Sequence, residues 1–208
     1  MIWTANIFLY SPKKCAIFEK TIITIMPTRL QNLTLPTTLA EFMAWDAPAD
    51  GNKYEWHDGE IICFAKMNKL HLKLIRLLTR LFAQSKAYQE GGMLIPEQDV
   101  MLTGIQLRRP DFAFFSGAQI DRSSRNEDPI PEFVIEVISP TDDAEKVEAK
   151  RIEYFKAGVL VLWSIYPETQ SVYVYTGLKA VAICTDEDVC SAAPVLGDFE
   201  VEARLLFQ

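Results

Sequence analysis

Glu136 stands inside Phe133-Val134-Ile135-Glu136-Val137-Ile138, a run otherwise suited to a buried strand. Burying an isolated carboxylate there carries a penalty on the order of several kcal/mol, so it must be paired, protonated or metal-bound. Strand alternation puts Glu136 on one face with Val134 and Ile138. Asp111, within Arg109-Pro110-Asp111-Phe112-Ala113-Phe114, is a second acid at the mouth of a strand. Two carboxylates on neighbouring strands, with a backbone carbonyl such as that of Val137, can supply the oxygen ligands that Mg²⁺ prefers. The same residues admit a structural reading, in which Asp111 caps a turn and Glu136 pairs with an arginine.

Lys150 adds a cation. It lies on a helix expected from Asp142 to Ala157, one turn from both Val147 and Tyr154. Val147, Arg151, Tyr154 and Phe155 define the inward face of that helix. Following directly on the Glu136 strand, the lysine can reach back towards the carboxylates. An ammonium so placed orients water or neutralises charge in phosphodiester hydrolysis. Alternatively, its stem lies along apolar surface and its head stays in solvent.

His71 falls in the apolar arc of a longer helix, between the directions of Leu78 and Phe82. It is either a hydrogen-bonded core residue or a group that assists proton transfer or contacts a phosphate. On the same helix Lys66, Lys69, Lys73, Arg76 and Arg80 project into an arc of roughly 80°, at about 100° per residue. This strip is either an ordinary solvated face or a track for a phosphate backbone.

The elements that must hold these residues are legible as periodicities and breaks. Thr38-Leu39-Ala40-Glu41 reads as a capping box opening a helix that ends at Pro48 and Gly51. Asp58-Gly59 marks a hairpin over Tyr54 to Ala65. The longest helix is expected from Lys66 to Tyr88, with Leu70, Leu74, Leu77, Leu78, Leu81 and Phe82 on one arc, ended by Gly91-Gly92. Strands are expected at Met93–Leu102 and Pro110–Ser116, followed by a polar loop from Gly117 to Pro131. The Phe133–Ile138 strand and the charged helix precede paired strands at Val159–Ile165 and Ser171–Tyr175. The tail, Val195 to Phe207, has mixed strand character. The order predicts an α/β fold with a mixed sheet flanked by helices.

With 208 residues, 49% of them hydrophobic and 24% charged, the chain fits one globular domain. No apolar run approaches the roughly 18 residues of a membrane span. A net charge of −7 argues against coating nucleic acid by bulk attraction, so binding would need a local basic patch or a bridging metal. Cys15, Cys63, Cys184 and Cys190 form no C-x-x-C pair, and with two histidines in the chain a structural zinc site is not indicated. Free thiols in a reducing cytoplasm are the expectation. Residues 1–25 lack the features of a signal peptide and are expected to be an extension outside the fold, from a start codon placed too early. Residues 26–208 then form the domain.

In order and spacing, Tyr54-Glu55-x-x-Asp58-Gly59-Glu60-Ile61, Pro110-Asp111, Glu136-Val137-x-Ser139-Pro140 and Lys150-x-x-x-Tyr154-x-x-x-Gly158-Val159 resemble the signature of the Uma-two branch of endonucleases. That branch belongs to the restriction-endonuclease-like PD-(D/E)XK superfamily, and the resemblance covers residues 34–207. It implies a restriction-endonuclease-like mixed β-sheet flanked by α-helices. It implies that Asp111 and Glu136 bind Mg²⁺ or Mn²⁺, with Glu60 as a third carboxylate. Lys150 would replace the lysine usually found two residues after the glutamate, where Ile138 stands here. The branch also tends to carry a histidine near His71. Where it often reads Asp-Pro after the later strand, this chain has Tyr166-Pro167.

The implied partner is nucleic acid, DNA foremost, with no membrane and with a homodimer open to such a domain. Two functions are therefore in view. One is a metal-dependent endonuclease in which Asp111, Glu136 and Lys150 are catalytic, His71 is accessory and the basic strip binds nucleic acid. The other is a non-catalytic nuclease-like module for nucleic-acid binding or protein interaction. The intact trio favours the first; Ile138 and the acidic bulk charge favour the second.

Overall fold

Short strands and two amphipathic helices arrange the chain in a computed structural model that describes residues 35–64 and 69–208. The expected extension at 1–25 lies outside the described residues, as do the side chains of 65–70. A short helix, α1 (Leu39–Met43), is followed by the hairpin strands β1 (Lys53–His57) and β2 (Glu60–Phe64). Helices α2 (Lys69–Phe82) and α3 (Lys86–Gln89) lead to β3 (Met93–Pro96), β4 (Val100–Thr103), β5 (Gln106–Arg108) and β6 (Phe112–Phe115). Helix α4 (Gly117–Ser123) precedes β7 (Phe133–Val137), α5 (Ala144–Ala157) and β8 (Val161–Tyr166). Strands β9 (Ser171–Gly177), β10 (Ala180–Thr185), β11 (Val189–Ala192) and β12 (Leu196–Glu202) finish the fold with a 3₁₀ turn at Ala203–Leu206.

A six-stranded sheet runs β10-β9-β8-β7-β6-β3, and a four-stranded sheet runs β2-β1-β5-β4. In the larger sheet β7 and β8 are parallel, joined through α5, while the other pairs are antiparallel. This is the mixed sheet flanked by helices that the element order predicts. One face of β7 and β8 buries Phe133, Ile135, Trp163 and Ile165 against Leu74, Leu78 and Phe82 of α2 and Phe199 of β12. On the opposite face Val134 and Leu162 pack with Tyr154 of α5. Glu136 shares that second face, because it alternates with Ile135 and pairs in register with Ser164.

Local chemistry fixes the boundaries. Thr38 and Glu41 form the capping box of α1. Asp58 and Gly59 both have positive φ (44° and 90°), the backbone that a two-residue hairpin turn of matching twist requires. Asp143 caps α5 by accepting from the amides of Glu145 and Lys146, and Gly158 ends it at φ 117°.

Three expectations are corrected. The long helix stops at Phe82, because the Ser85 hydroxyl accepts from the Tyr88 amide and starts α3 separately. The polar loop after β6 contains α4, built on a Ser116/Gln119 capping box. The strand expected at Met93–Leu102 divides into β3 and β4, with Glu97 between them at φ 51°. Cys184 and Cys190 are buried free thiols. Among the described residues no helix is long and apolar enough to cross a membrane.

Candidate active site

Strand register brings the two acids together. Phe112 pairs with Ile135 across β6 and β7, so one further step outwards sets Asp111 beside Glu136. Pro110, lacking an N–H, cannot extend the ladder beyond that point. The Asp111 side chain takes over: its Oδ2 accepts the Val137 amide at 2.6 Å. Asp111 is 7% exposed and Glu136 8% exposed.

Helix α5 delivers the next groups from above. Lys150 and Tyr154, four residues apart, are its buried positions. The Tyr154 hydroxyl donates to Glu136 Oε1 at 2.6 Å, and Lys150 Nζ lies 2.8 Å from the same oxygen. With the Lys150 residue only 6% exposed, its head is inside the cleft and not in solvent.

The β1–β2 hairpin forms the facing wall. Glu55, 1% exposed, accepts from Lys150 Nζ at 2.9 Å, Arg108 Nη1 at 3.3 Å and the Arg109 amide at 3.1 Å. Arg108 in turn donates to Glu153 of α5 through Nε (2.8 Å) and Nη2 (2.6 Å). Two residues before Glu55 on the same strand face, Lys53 Nζ donates to Asp111 Oδ1 at 3.2 Å. Phe64, paired with Lys53 across the hairpin, presents its ring to both ammoniums, 5.6 Å from Lys53 and 4.8 Å from Lys150. His71, near the start of α2, puts Nε2 3.8 Å from Asp111 Oδ1. Lys53, Phe64, His71, Asp111, Glu136 and Lys150 thus line one cleft at the junction of the two sheets, with Asp142 and Ser139 at its edge.

The electrostatics of the acids differ. Burial alone would raise the Asp111 carboxyl, but Lys53, the His71 ring and the Val137 amide together hold it below the usual range. Burial likewise opposes the Glu55 charge, and Lys150, Lys53 and Arg108 overcome it, so its pKa is lowered. At Glu136 burial prevails over Lys150 and Lys53, and with Asp111 and Glu55 adding like charge its pKa is raised. Lys53 is held more firmly protonated than usual, because the Asp111, Glu136 and Glu55 carboxylates outweigh its burial.

Of the residues singled out in the sequence, Asp111, Glu136, Lys150 and His71 converge here. Glu60 does not. It pairs with His57 at the exposed turn end of the hairpin, and the acid that this hairpin sends into the site is Glu55. Lys73, Arg76 and Arg80 are exposed along α2, whereas Lys66 and the Lys69 side chain lie outside the described residues. Sequence reasoning missed Lys53, Glu55 and Arg108. The available signal was alternation: Lys53, Glu55 and His57 share one strand face whose cross-strand partners include Ile62 and Phe64.

Among the described residues no group of three or more His, Cys, Asp or Glu side chains is disposed to hold a metal. Mg²⁺ commonly takes one or two carboxylates and fills its remaining positions with water and substrate phosphate. Asp111 and Glu136, side by side at a cleft mouth, match that all-oxygen pattern.

The model of the Uma2 family, described as "Putative restriction endonuclease", matches residues 39–204. A crystal structure of a putative nuclease belonging to DUF820 from Anabaena variabilis ATCC 29413 has the same fold, with a TM-score of 0.69 and 22% identity. The match covers 83% of this chain and 98% of that one. No curated protein matches the chain.

Proposed function

Since the chain belongs to the Uma2 family of restriction-endonuclease-like proteins, we propose that it hydrolyses phosphodiester bonds of DNA with the aid of Mg²⁺ or Mn²⁺. The observation that carries this reading is the meeting of Asp111, Glu136 and Lys150 in one cleft, from three elements brought together by the fold. Asp111 and Glu136 would hold the ion. When bound, it supplies a polarised phosphoryl oxygen and a more acidic water.

The chain's own groups have separable tasks. The Val137 amide and the Tyr154 hydroxyl fix one oxygen of each acid, so both carboxylates are oriented before any ligand arrives. Lys150, held between Glu55 and Glu136, keeps a positive charge where negative charge develops on the phosphoryl group. His71 stands within reach of a proton or a phosphate at the Asp111 side. Lys73, Arg76 and Arg80, exposed on the face of α2 turned away from His71, would offer a separate track for a phosphate backbone.

A second reading rests on one observation: each acid already has an ammonium partner, Lys53 for Asp111 and Lys150 for Glu136. An ion-pair network of that kind also suits a non-catalytic module. Calorimetric titration with Mn²⁺ separates the two. The parent should bind the ion at a single class of site, and Glu136→Gln should lose that site while remaining folded. A parent that takes up no Mn²⁺ specifically would leave the module as the surviving account.

A further inference from the structure

We infer that Lys53 is a catalytic residue of this cleft: its ammonium exchanges Asp111 for a non-bridging oxygen of the scissile phosphodiester. The inference rests on the nuclease reading above and adds to it the group that binds the phosphate.

The two lysines of the cleft are used very differently by the protein. Lys150 Nζ has carboxylate oxygens at 2.9 Å (Glu55) and 2.8 Å (Glu136), with the Phe64 ring centre at 4.8 Å. An ammonium has three N–H donors, so the protein itself occupies most of what Lys150 can offer. Among the described residues Lys53 Nζ donates to Asp111 Oδ1, at 3.2 Å, and its other carboxylate neighbour, Glu55 Oε1, is 4.0 Å away. It enters from β1 and lines the same cleft as Glu136.

Asp111 explains why that one bond is exchangeable. Its Oδ2 is tied to the Val137 amide, so Oδ1 is the more open oxygen towards an incoming cation, and Lys53 holds it at 3.2 Å, with His71 Nε2 at 3.8 Å. Lys53 and a divalent ion therefore compete for one oxygen. An ammonium released from it keeps Glu55 Oε1 4.0 Å away and has N–H donors open to an anion that enters the cleft. A phosphodiester oxygen supplies it, since charge-assisted hydrogen bonds to phosphate are among the stronger ones available. Phe64 closes one side of both ammoniums and keeps the exchange in a low-dielectric setting.

Competition predicts opposite signs for two affinities. Lys53→Met should bind Mn²⁺ more tightly than the parent by calorimetry, by about tenfold, because an oppositely charged competitor at Asp111 is gone. The same variant should bind a fluorescent DNA duplex in Ca²⁺ about tenfold more weakly by anisotropy, having lost one charge-assisted contact. Lys53→Arg should restore DNA binding. If Lys53→Met does not fold, Lys53→Gln, which keeps a hydrogen-bond donor without the charge, is measured in the same way. Both affinities falling together would be the mark of a lysine that only supports the structure, and would overturn the inference. So would tighter Mn²⁺ binding with unchanged DNA binding. A parent that binds no Mn²⁺ brings down the nuclease reading and this inference with it.

Discussion

Glu55→Gln and Glu136→Gln make the same chemical change at two buried carboxylates about one lysine apart, and their effects on stability should have opposite signs. Glu55 is ionised with the fold's help: Lys150, Lys53 and Arg108 lower its pKa against the effect of burial. Removing one partner of a buried, hydrogen-bonded ion pair costs roughly 3–5 kcal/mol. For a chain of this size each kcal/mol moves Tm by about 2–4 °C, so Glu55→Gln should melt about 6–20 °C below the parent.

Glu136 is ionised against the fold's preference, since burial and its acidic neighbours raise its pKa. An amide there keeps the shape and can still accept from Tyr154, so Tm should stay level or rise by a few degrees. The pH dependence follows from the two directions. The Glu55 contribution is complete above its ordinary value of 4.5 and disappears as pH falls through its lowered folded value. The gap between parent and Glu55→Gln is therefore widest near neutrality and closes in acid. The Glu136 penalty builds as pH rises from its ordinary value of 4.5 and is complete above its raised folded value, so any gain from Glu136→Gln also fades in acid. Thermal melts in chelator, at neutral and acidic pH, test both. Equal losses in the two variants, or a Glu55→Gln melt indistinguishable from the parent, would refute this electrostatic assignment.

Two further predictions concern activity and binding. Lys150→Met should lower turnover about a hundredfold with little change in substrate affinity, from the loss of roughly 3 kcal/mol of transition-state stabilisation. Lys146→Met, one turn earlier and outside the cleft lining, is the matched control, and parental turnover in Lys150→Met would make the lysine structural only. Replacing Lys69, Lys73 and Arg76 by alanine should weaken DNA binding and flatten the slope of log affinity against log salt, as fewer counterions are released. An unchanged slope would mark the strip as an ordinary solvated face.

The parts of this fold legible in the sequence are those encoded by neighbours in the chain. Glu136 betrays its strand because one acid interrupts an apolar run, and Asp58-Gly59 betrays the hairpin because few residue pairs accept its backbone. The cap at Asp143 and the stop at Gly158 bound α5 to within two residues of expectation. What could not be read is pairing across distance. Lys53 and Glu55 look like the solvent face of a hairpin until α5, 95 residues on from Glu55, sets Lys150 against it. Glu60 lies on the same strand face as Glu55, but at the turn end, where no second element covers it. Serine and glutamine caps at Ser85 and Ser116 look like loop chemistry, because the same side chains serve turns and helix starts alike.

The separation of Glu55 from Lys150 also bears on when the cleft can exist. A chain emerging from the ribosome presents the β1–β2 hairpin well before Asp111, and Asp111 and Glu136 together only once β7 is out. At that stage Glu55 has no Lys150, Glu136 has no Tyr154, and β8 is missing from the sheet that supports them. Domains gain their long-range contacts last and largely together. A partial chain thus carries the acids without the arrangement that orients them, and a synthesis that stops early releases a fragment with no assembled cleft.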